Sequence, residues 1–221
     1  MNGTETCRAF VFMGGKNFFP EHMTDIPEDN DLVVAADSGC FALSLFCEKV
    51  KKISPDIILG DMDSFDLSES RMMFPDSRFI TLPAKKDKTD TALAVDVALD
   101  NGCKTIFIAG GVGGRLDHTL AVVYLLEYIR EKRADGILTD GKNRVYLAKE
   151  ENLIRNKRKY VSLIPLDKTI YGVGMDENFE YPYKAEQLER SNFPTISNEL
   201  TSDSGYIYVK SGSALIIETE D

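Results

Sequence analysis

The amino-acid sequence predicts an α/β fold in two domains: a parallel, doubly wound sheet with helices on both faces in residues 1–150, and an all-β sandwich in residues 151–221. Two patterns lead to this prediction. In the first part, near-continuous apolar runs alternate with amphipathic stretches, as in parallel sheets covered by helices. In the second part, the apolar runs are short, rich in tyrosine and isoleucine, and separated by Gly, Pro and Asn, as in antiparallel sheets.

The first domain is predicted to contain three helices, with the sequences CFALSLFCEKV, TDTALAVDVALDNG and DHTLAVVYLLEYIREKR. Gly102 is a typical C-terminal signal for the second helix. Arg130, Lys132 and Arg133 close the third, where the helix dipole favours positive charge. The segments around these helices that are predicted to contain strands are RAFVFMGG, DLVVAADSG, DIILGDMDS, SRFITLPA, KTIFIAGG, DGILTDG and RVYLAKE.

The second domain is predicted from the runs KYVSLIPL, TIYGVG, ENFEYPY, PTISNEL, GYIYVKSG and ALIIETE. No helix of normal length fits between them, and only a turn is expected near KAEQLER. The basic stretch RNKRK, residues 155–159, is interpreted as a solvated connection between the two domains.

Composition excludes several classes of protein. The formal net charge of −10 argues against a protein that coats nucleic acid, because such proteins need a basic surface. No apolar stretch approaches the ~20 residues of a membrane span, so no membrane partner is expected. The N-terminus lacks the pattern of a signal peptide, and the four cysteines are scattered. We therefore expect a cytoplasmic protein with free thiols.

Four polar segments follow predicted strands of the first domain. In open parallel sheets, ligands bind beyond the carboxyl ends of the strands, so these segments are the candidate site. They are Asp37 with Ser38 and Gly39; the Asp61/Asp63 pair; KKDKTD, residues 85–90; and the glycine-rich loop AGGVGGRLDH, residues 109–118.

Asp61 and Asp63 stand one residue apart after an apolar run, so in an extended chain both side chains point the same way. Two adjacent carboxylates repel unless a cation lies between them. Together with Asp90 they offer the hard oxygen ligands that Mg²⁺ prefers beside substrate phosphates. Two other interpretations stay open at this point: a solvated Gly-Asp turn for the pair, and a helix cap for Asp90 with Thr89.

The glycine-rich loop matches neither the P-loop nor the dinucleotide-binding pattern, because no G-x-x-x-x-G-K-[ST] occurs and Leu116 replaces the third glycine. Its glycines still allow backbone N–H groups to approach an anion at the start of a helix. Arg115 can add a bidentate phosphate contact. A tight connection that needs positive φ is the alternative for the loop. His118 fits a nucleotide contact and a structural role equally well.

These four motifs, in this order, resemble the thiamine pyrophosphokinase family. The family patterns are matched by AADSG, by GDMDS with the preceding Pro55–Ile58, by KDKTD and by GGRLDH. In the second domain, SLIPL, FEYPYKAEQL, the SNE turn at residues 197–199 and GYIYVKSGSALII are also similar to the family. Two positions depart from it: Ser38 stands where a second glycine is usual, and Val122 where an asparagine is usual.

The resemblance implies an ATP-dependent enzyme that converts thiamine to thiamine diphosphate, releasing AMP. It implies a catalytic α/β domain that binds nucleotide and metal, a thiamine-binding β domain, a homodimer, and Mg²⁺ as the metal. The implied Mg²⁺ ligands and catalytic residues are Asp61, Asp63 and Asp90. The implied nucleotide-binding residues are Lys86, Lys88, Gly110, Gly111, Arg115, Asp117 and His118. The implied substrate-binding residues are Asp37, Ser197 and Asn198.

Two other functions fit the same residues. One is a related Mg²⁺-dependent diphosphokinase that acts on another small alcohol, such as a pterin. The other is a sensor that binds thiamine or nucleotide without catalysis. The intact acidic residues and the KDKTD segment disfavour the sensor, because binding alone does not require them.

Overall fold

The computed structural model describes residues 7–15, 17–60, 67–83, 87–113 and 115–221. The chain divides into two compact units, Met1–Gly141 and Lys142–Asp221. The sequence pattern placed the boundary at residue 150. In the structure, the strand at Asn143–Leu147 pairs with the last strand of the second unit, at Ala214–Thr219.

The first unit is a parallel sheet with helices. Its six strands lie in the order β4-β3-β2-β1-β5-β6, and every neighbouring pair is parallel. The strands are β1 (Arg8–Met13), β2 (Leu32–Ala36), β3 (Ile57–Gly60), β4 (Arg78–Thr81), β5 (Thr105–Ala109) and β6 (Asp135–Thr139). The helices are α1 (Gly39–Lys49), α2 (Leu67–Met73), α3 (Asp90–Asp100) and α4 (Leu116–Glu131), with a short 3-10 turn at Pro20–His22.

Helix packing buries the central strands. Helix α1 packs on β1 and β2, α3 packs on β1, β2 and β3, and α4 packs on β6. Aromatic side chains fill the centre: the Phe10 and Phe107 rings stack at 4.5 Å, and Phe12 meets Phe46 edge-on at 5.4 Å. The parallel sheet with helices, predicted from the alternating pattern, is therefore confirmed.

Helices α1, α3 and α4 form where the apolar periodicity predicts them. Helix α2 was not predicted, because its seven residues, LSESRMM, are too few and too polar to show a helical period. In the described part of the chain, no helix is both long and apolar enough to cross a membrane.

Cys7 and Cys103 form a disulfide, so the expectation of four free thiols is wrong. The cause is the register of neighbouring strands. Arg8 of β1 lies opposite Thr105 of β5, and the Lys104 N–H donates to the Cys7 carbonyl at 2.8 Å. This pairing brings together two cysteines that are 96 residues apart in sequence, whereas Cys40 and Cys47 are free.

The second unit is built of antiparallel strands in two groups. Their orders are β7-β13-β9 and β11-β10-β12-β8. The strands are β7 (Asn143–Leu147), β8 (Glu151–Arg155), β9 (Tyr160–Pro165), β10 (Thr169–Met175), β11 (Tyr183–Glu189), β12 (Ser204–Ser211) and β13 (Ala214–Thr219). One hydrophobic cluster contains side chains of both groups, among them Leu163 and Ile216 of the first and Val173 and Ile207 of the second.

Two local predictions in this unit are wrong. The segment KAEQLER is not a turn: its residues form most of β11, which pairs with β10 in the register Ala185↔Val173. The RNKRK stretch does not connect the two units, because it joins β8 to β9 within the second. Its Arg158 is buried, and the guanidinium donates from Nε to the Lys142 carbonyl at 3.1 Å.

Candidate functional site

Three loops of the first unit meet at the carboxyl end of β1. Gly14 lies against the Ser38 side chain that follows β2, and Gly39 lies against the Phe12 carbonyl. A Cβ atom added at Gly15 would stand 2.9 Å from the Gly111 backbone nitrogen, in the loop after β5. The segments AADSG and AGGVG (residues 35–39 and 109–113), far apart in sequence, are thus brought together at one edge of the sheet.

The glycine-rich loop requires glycine at Gly110 and Gly111. Their φ angles are +95° and +78°, in the left-handed region that other residues rarely adopt. A side chain at Gly110 would collide with the Met13 carbonyl oxygen, and one at Gly111 with the Met13 sulfur. At Gly110, a close approach of backbone to backbone therefore adds to the positive φ, whereas at Gly111 the neighbour is the Met13 side chain.

Asp37 combines a strained backbone with a position beside β3. Its φ is +50°, and its N–H donates to the Leu59 carbonyl at 2.7 Å. A Cβ atom added at Gly60, the last residue of β3, would lie 3.4 Å from the Asp37 Cα. The chain therefore leaves β3 next to Asp37. Asp61 and Asp63 lie outside the described residues.

The start of α3 is held at the same edge. Thr89 is the N-cap, with its hydroxyl accepting from the Ala92 N–H at 3.2 Å, and Asp90 is the first helical residue. The buried Thr91 hydroxyl lies 3.8 Å from the Met13 sulfur. The first turn of α3 is therefore anchored on the carboxyl end of β1. Lys86 lies outside the described residues.

Lys88 is engaged by two helices. Its ammonium lies 2.6 Å from the Asp96 carboxylate of α3 and 3.3 Å from the Tyr128 hydroxyl of α4. The hydrogen bond to Asp96, and then the one to Tyr128, raise the pKa of Lys88. Lys88 is thus a charged ammonium that contacts both Asp96 and Tyr128.

Arg115 and Asp117 pair at the start of α4. The guanidinium donates from Nη2 and Nε to the two carboxylate oxygens, at 2.6 and 3.2 Å, and both side chains are exposed. The pairing lowers the pKa of Asp117. The His118 N–H donates to the Asp117 carboxylate at 3.0 Å, and the His118 residue is exposed.

In the second unit, Ser197 has a φ of +54° and stands in an irregular pairing with β9. Asn198 exchanges backbone hydrogen bonds with Val161, while the Ser197 N–H donates to the buried Ser162 hydroxyl at 3.0 Å. A side-chain oxygen therefore takes the place of a ladder acceptor at this residue.

The Asn198 side chain is buried and uses its full hydrogen-bonding capacity. Its carbonyl accepts from the Tyr181 and Glu199 N–H groups, both at 3.0 Å. Its amide donates to the Tyr181 carbonyl at 2.8 Å and lies 3.6 Å from the Met175 sulfur. The Tyr181 residue that it holds is 66% exposed.

Four polar residues are not among those predicted from the sequence: Asp96, Tyr128, Ser162 and Asp140. Asp140 is a buried carboxylate directly after β6, and the signal that marked Asp37 and the Asp61/Asp63 pair, an acid that follows an apolar run, was also present there. Ser162 and Tyr128 lie inside a strand and a helix, where no local pattern distinguishes them from ordinary polar residues.

The described residues at this edge of the sheet include two carboxylates. Among the described residues, no three His, Cys, Asp or Glu side chains cluster as a metal site. Asp37 and Asp90, the described acidic residues at the edge, carry carboxylate oxygens, which are the ligands that hard divalent cations prefer.

The sequence and structure match known proteins. A family model described as the thiamin pyrophosphokinase catalytic domain matches residues 23–138. The chain is 28% identical to the thiamine pyrophosphokinase of Bacillus subtilis, over 94% of this chain and 96% of that protein. It is 27% identical to thiamin pyrophosphokinase 1 of Caenorhabditis elegans, over 75% of this chain and 70% of that protein.

A solved structure matches the whole fold. The crystal structure of the Bacillus subtilis thiamine pyrophosphokinase superposes with a TM-score of 0.84 at 27% identity, and the match covers 97% of this chain and 99% of that one. With the family model, this match extends the likeness from the catalytic domain to both units. The chain belongs to the thiamine pyrophosphokinase family.

Proposed function

We propose that the protein transfers the diphosphate group of ATP to the hydroxyl of thiamine, giving thiamine diphosphate and AMP. One observation carries the proposal: the loops after β1, β2 and β5 and the first turn of α3 meet at one edge of the parallel sheet. This is the edge where open α/β sheets bind ligands. The family supplies the reaction class, with ATP as co-substrate.

The nucleotide is proposed to bind at the glycine-rich loop and the start of α4. Backbone N–H groups at Gly110 and Gly111 can approach the phosphates because no side chain intervenes. Arg115 is exposed and oriented by Asp117, so its guanidinium is available for a bidentate phosphate contact. Lys86, Lys88 and His118 complete the proposed nucleotide-binding set.

The metal is proposed to be Mg²⁺, held by Asp61, Asp63 and Asp90. The supporting facts are the carboxylate chemistry of this set and the position beside Asp37 of Gly60, the residue that precedes Asp61 in the sequence. When bound, the ion neutralises charge that develops on the phosphate oxygens. The side chains of this chain position the phosphates and contribute positive charge from Arg115 and the lysines.

The substrate-binding residues are proposed, from the family resemblance, to be Asp37 of the first unit and Ser197 and Asn198 of the second, with Asn198 acting indirectly. Thiamine carries a fixed positive charge, which suits the Asp37 carboxylate. Because the Asn198 side chain already bonds to the backbone of Tyr181 and Glu199 and contacts the Met175 sulfur, its contribution is to orient Tyr181. The exposed Tyr181 ring can then offer a cation–π contact to thiamine.

In the proposed reaction, the thiamine hydroxyl oxygen attacks the β-phosphorus of ATP in line with the leaving group. A bond forms between that oxygen and the β-phosphorus, the bond from the β-phosphorus to the α,β-bridging oxygen breaks, and AMP leaves. The hydroxyl proton passes to solvent. Positioning and charge neutralisation dominate such transfers, so the residues act mainly by holding the two substrates.

The finer architecture and assembly are part of the proposal. A doubly wound first unit is supported by the packing of α1 and α3 on central strands and α4 on β6. A sandwich in the second unit, 151–221 in the sequence-based division, is supported by the hydrophobic cluster that its two strand groups share. A cytoplasmic homodimer is proposed: the dimer is implied by the family resemblance, and light scattering of the purified protein tests it.

The activity is tested by measuring AMP release from ATP and Mg²⁺ with thiamine, and in parallel with a hydroxymethyl pterin. The proposal predicts AMP and thiamine diphosphate with thiamine only. AMP formation with the pterin alone would identify a different alcohol as substrate. Tight thiamine binding by calorimetry, with no AMP under any divalent metal, would identify a sensor.

A further inference from the structure

Lys88, Asp96 and Tyr128 form a closed cluster that links three segments of the first unit. Lys88 precedes α3, Asp96 lies within α3, and Tyr128 lies within α4. The Tyr128 hydroxyl donates to one Asp96 oxygen at 2.5 Å, and the Lys88 ammonium contacts the other at 2.6 Å. The triangle is completed by the Lys88 ammonium and the Tyr128 oxygen at 3.3 Å.

The ring of Tyr128 adds to this cluster. The Lys88 ammonium lies 4.9 Å from the ring centroid, within the range of a cation–π contact. Asp96 receives a hydrogen bond on each oxygen, so removal of either partner leaves a half-buried carboxylate less well satisfied. The contacts therefore depend on one another.

The cluster lies close to the first turn of α3 and connects α3 to α4. Lys88 is two residues from Asp90, the first residue of α3, and α3 packs against α4, whose first turn carries Asp117 and His118. A contact that ties the residue before α3 to both helices fixes the first turn of α3 relative to α4. Those are the two helix starts proposed above to serve the metal and the nucleotide.

We propose that Asp96 and Tyr128 are positioning residues, which hold Lys88 and thereby fix the start of α3 at the active site. This inference rests on the proposed function and refines one part of it: Lys88 acts through its contacts with the two helices, and is not a direct phosphate ligand. Its ammonium already faces a carboxylate, a hydroxyl and an aromatic ring.

A double-mutant cycle distinguishes a positioning role of Lys88 from direct binding of phosphate. The variants are Lys88→Met, Asp96→Asn, the double variant and Tyr128→Phe, with kcat and the KM for ATP measured for each. We expect each single variant to lower kcat/KM for ATP about five- to tenfold, and the double variant to be no worse than Lys88→Met, since contacting residues couple. Lys88→Arg, which can still pair with Asp96, is expected to retain most activity.

The opposite result is equally definite. If Lys88 bound phosphate directly, Asp96→Asn and Tyr128→Phe would release it, and the KM for ATP would stay unchanged or fall. An unchanged or lowered KM for ATP in these two variants would overturn the proposal, and so would an additive loss in the double variant. Lys49→Met is the matched control, because it removes an ion pair of similar length, 2.7 Å to Glu21, outside the site.

A second readout does not depend on catalysis. Hydrogen exchange is measured on the ligand-free protein at Ala92 and Leu93, whose amides bond to Thr89 in the first turn of α3. We expect faster exchange in the Asp96→Asn and Tyr128→Phe variants and no change in Lys49→Met. Unchanged exchange in the site variants would overturn the inference. An inactive wild-type protein with the expected exchange would instead count only against the proposed function.

Discussion

The Asn198 side chain pairs with the backbone of Tyr181 as a neighbouring strand would, accepting from its N–H at 3.0 Å and donating to its carbonyl at 2.8 Å. The Asn198 amide thus makes the two backbone hydrogen bonds that a paired strand would make to Tyr181, whose ring is exposed. Its other contacts, with Glu199 and Met175, leave no hydrogen-bonding position for a ligand. In the proposed site, Asn198 would therefore act through Tyr181, the residue it holds.

Asn198→Ala is expected to reduce the free energy of unfolding by about 2–3 kcal/mol, because it removes several buried hydrogen bonds at once. Urea denaturation measures the loss. Asn101→Ala is the control: its side chain makes one exposed bond to the Val97 carbonyl, and its removal should cost about 0.5 kcal/mol. Equal losses at the two positions would contradict the role of Asn198.

Tyr181→Ala is expected to raise the KM for thiamine about tenfold and to leave the KM for ATP unchanged, because a lost cation–π and stacking contact is worth about 1–2 kcal/mol. Steady-state kinetics with each substrate varied in turn checks this. Tyr171→Ala, at another exposed tyrosine of the same unit, serves as the comparison. A similar change in both variants would show that the effect is not specific to Tyr181.

Gly110→Ala is expected to be much more damaging than Gly102→Ala. Both glycines have positive φ, +95° and +80°, so both substitutions carry a backbone cost of about 1–2 kcal/mol. Only at Gly110 would the new methyl group collide with the Met13 carbonyl, adding about 1–3 kcal/mol, whereas Gly102 has open space around it. Denaturation curves with equal midpoints for the two variants would refute the close approach.

The cysteines are expected to differ in reactivity. Burial raises the pKa of the Cys40 thiol to about 11, whereas Cys47 is partly exposed. At pH 8, a thiol-specific reagent should modify Cys47 alone in the native protein, two thiols after unfolding, and four after unfolding with reductant. Four reactive thiols in unfolded, unreduced protein would contradict the Cys7–Cys103 disulfide.

The raised pKa of Cys40 also predicts how the stability of the protein changes with pH. Because the pKa of Cys40 is raised in the folded state, its contribution to folding is fully present below the unfolded value of about 8.5. It is lost as the pH rises towards about 11. Between pH 7 and about pH 11, the free energy of unfolding should therefore fall less in Cys40→Ser than in the wild-type protein.

Local signals explain how much of the first unit can be predicted from sequence. Thr89 caps α3, Gly102 ends it with a φ of +80°, and parallel strands bring their carboxyl ends to one edge by topology. The position of the glycine-rich loop near the end of β1 can therefore be predicted from the sequence. The clash that makes Gly110 irreplaceable depends on Met13, which no local pattern connects to it.

Long-range pairing explains what could not be predicted. KAEQLE has the composition of a helix or turn, and pairing with β10 makes it a strand. The register of β1 with β5 joins Cys7 to Cys103 across 96 residues. The SNE turn can be recognised as a motif, but the use of the Asn198 amide by Tyr181 depends on a contact 17 residues away.

The central claim is that paired acids at the end of β3 serve a divalent cation and the ATP phosphates. Its most direct test is the rate of AMP release with saturating thiamine, ATP and Mg²⁺ in Asp61→Asn and Asp63→Asn. We expect each variant to lose at least about a hundredfold in kcat, since each removes a charged group acting on the transferring phosphates, with an unchanged melting temperature. Turnover close to that of the wild-type enzyme in either folded variant would contradict the claim.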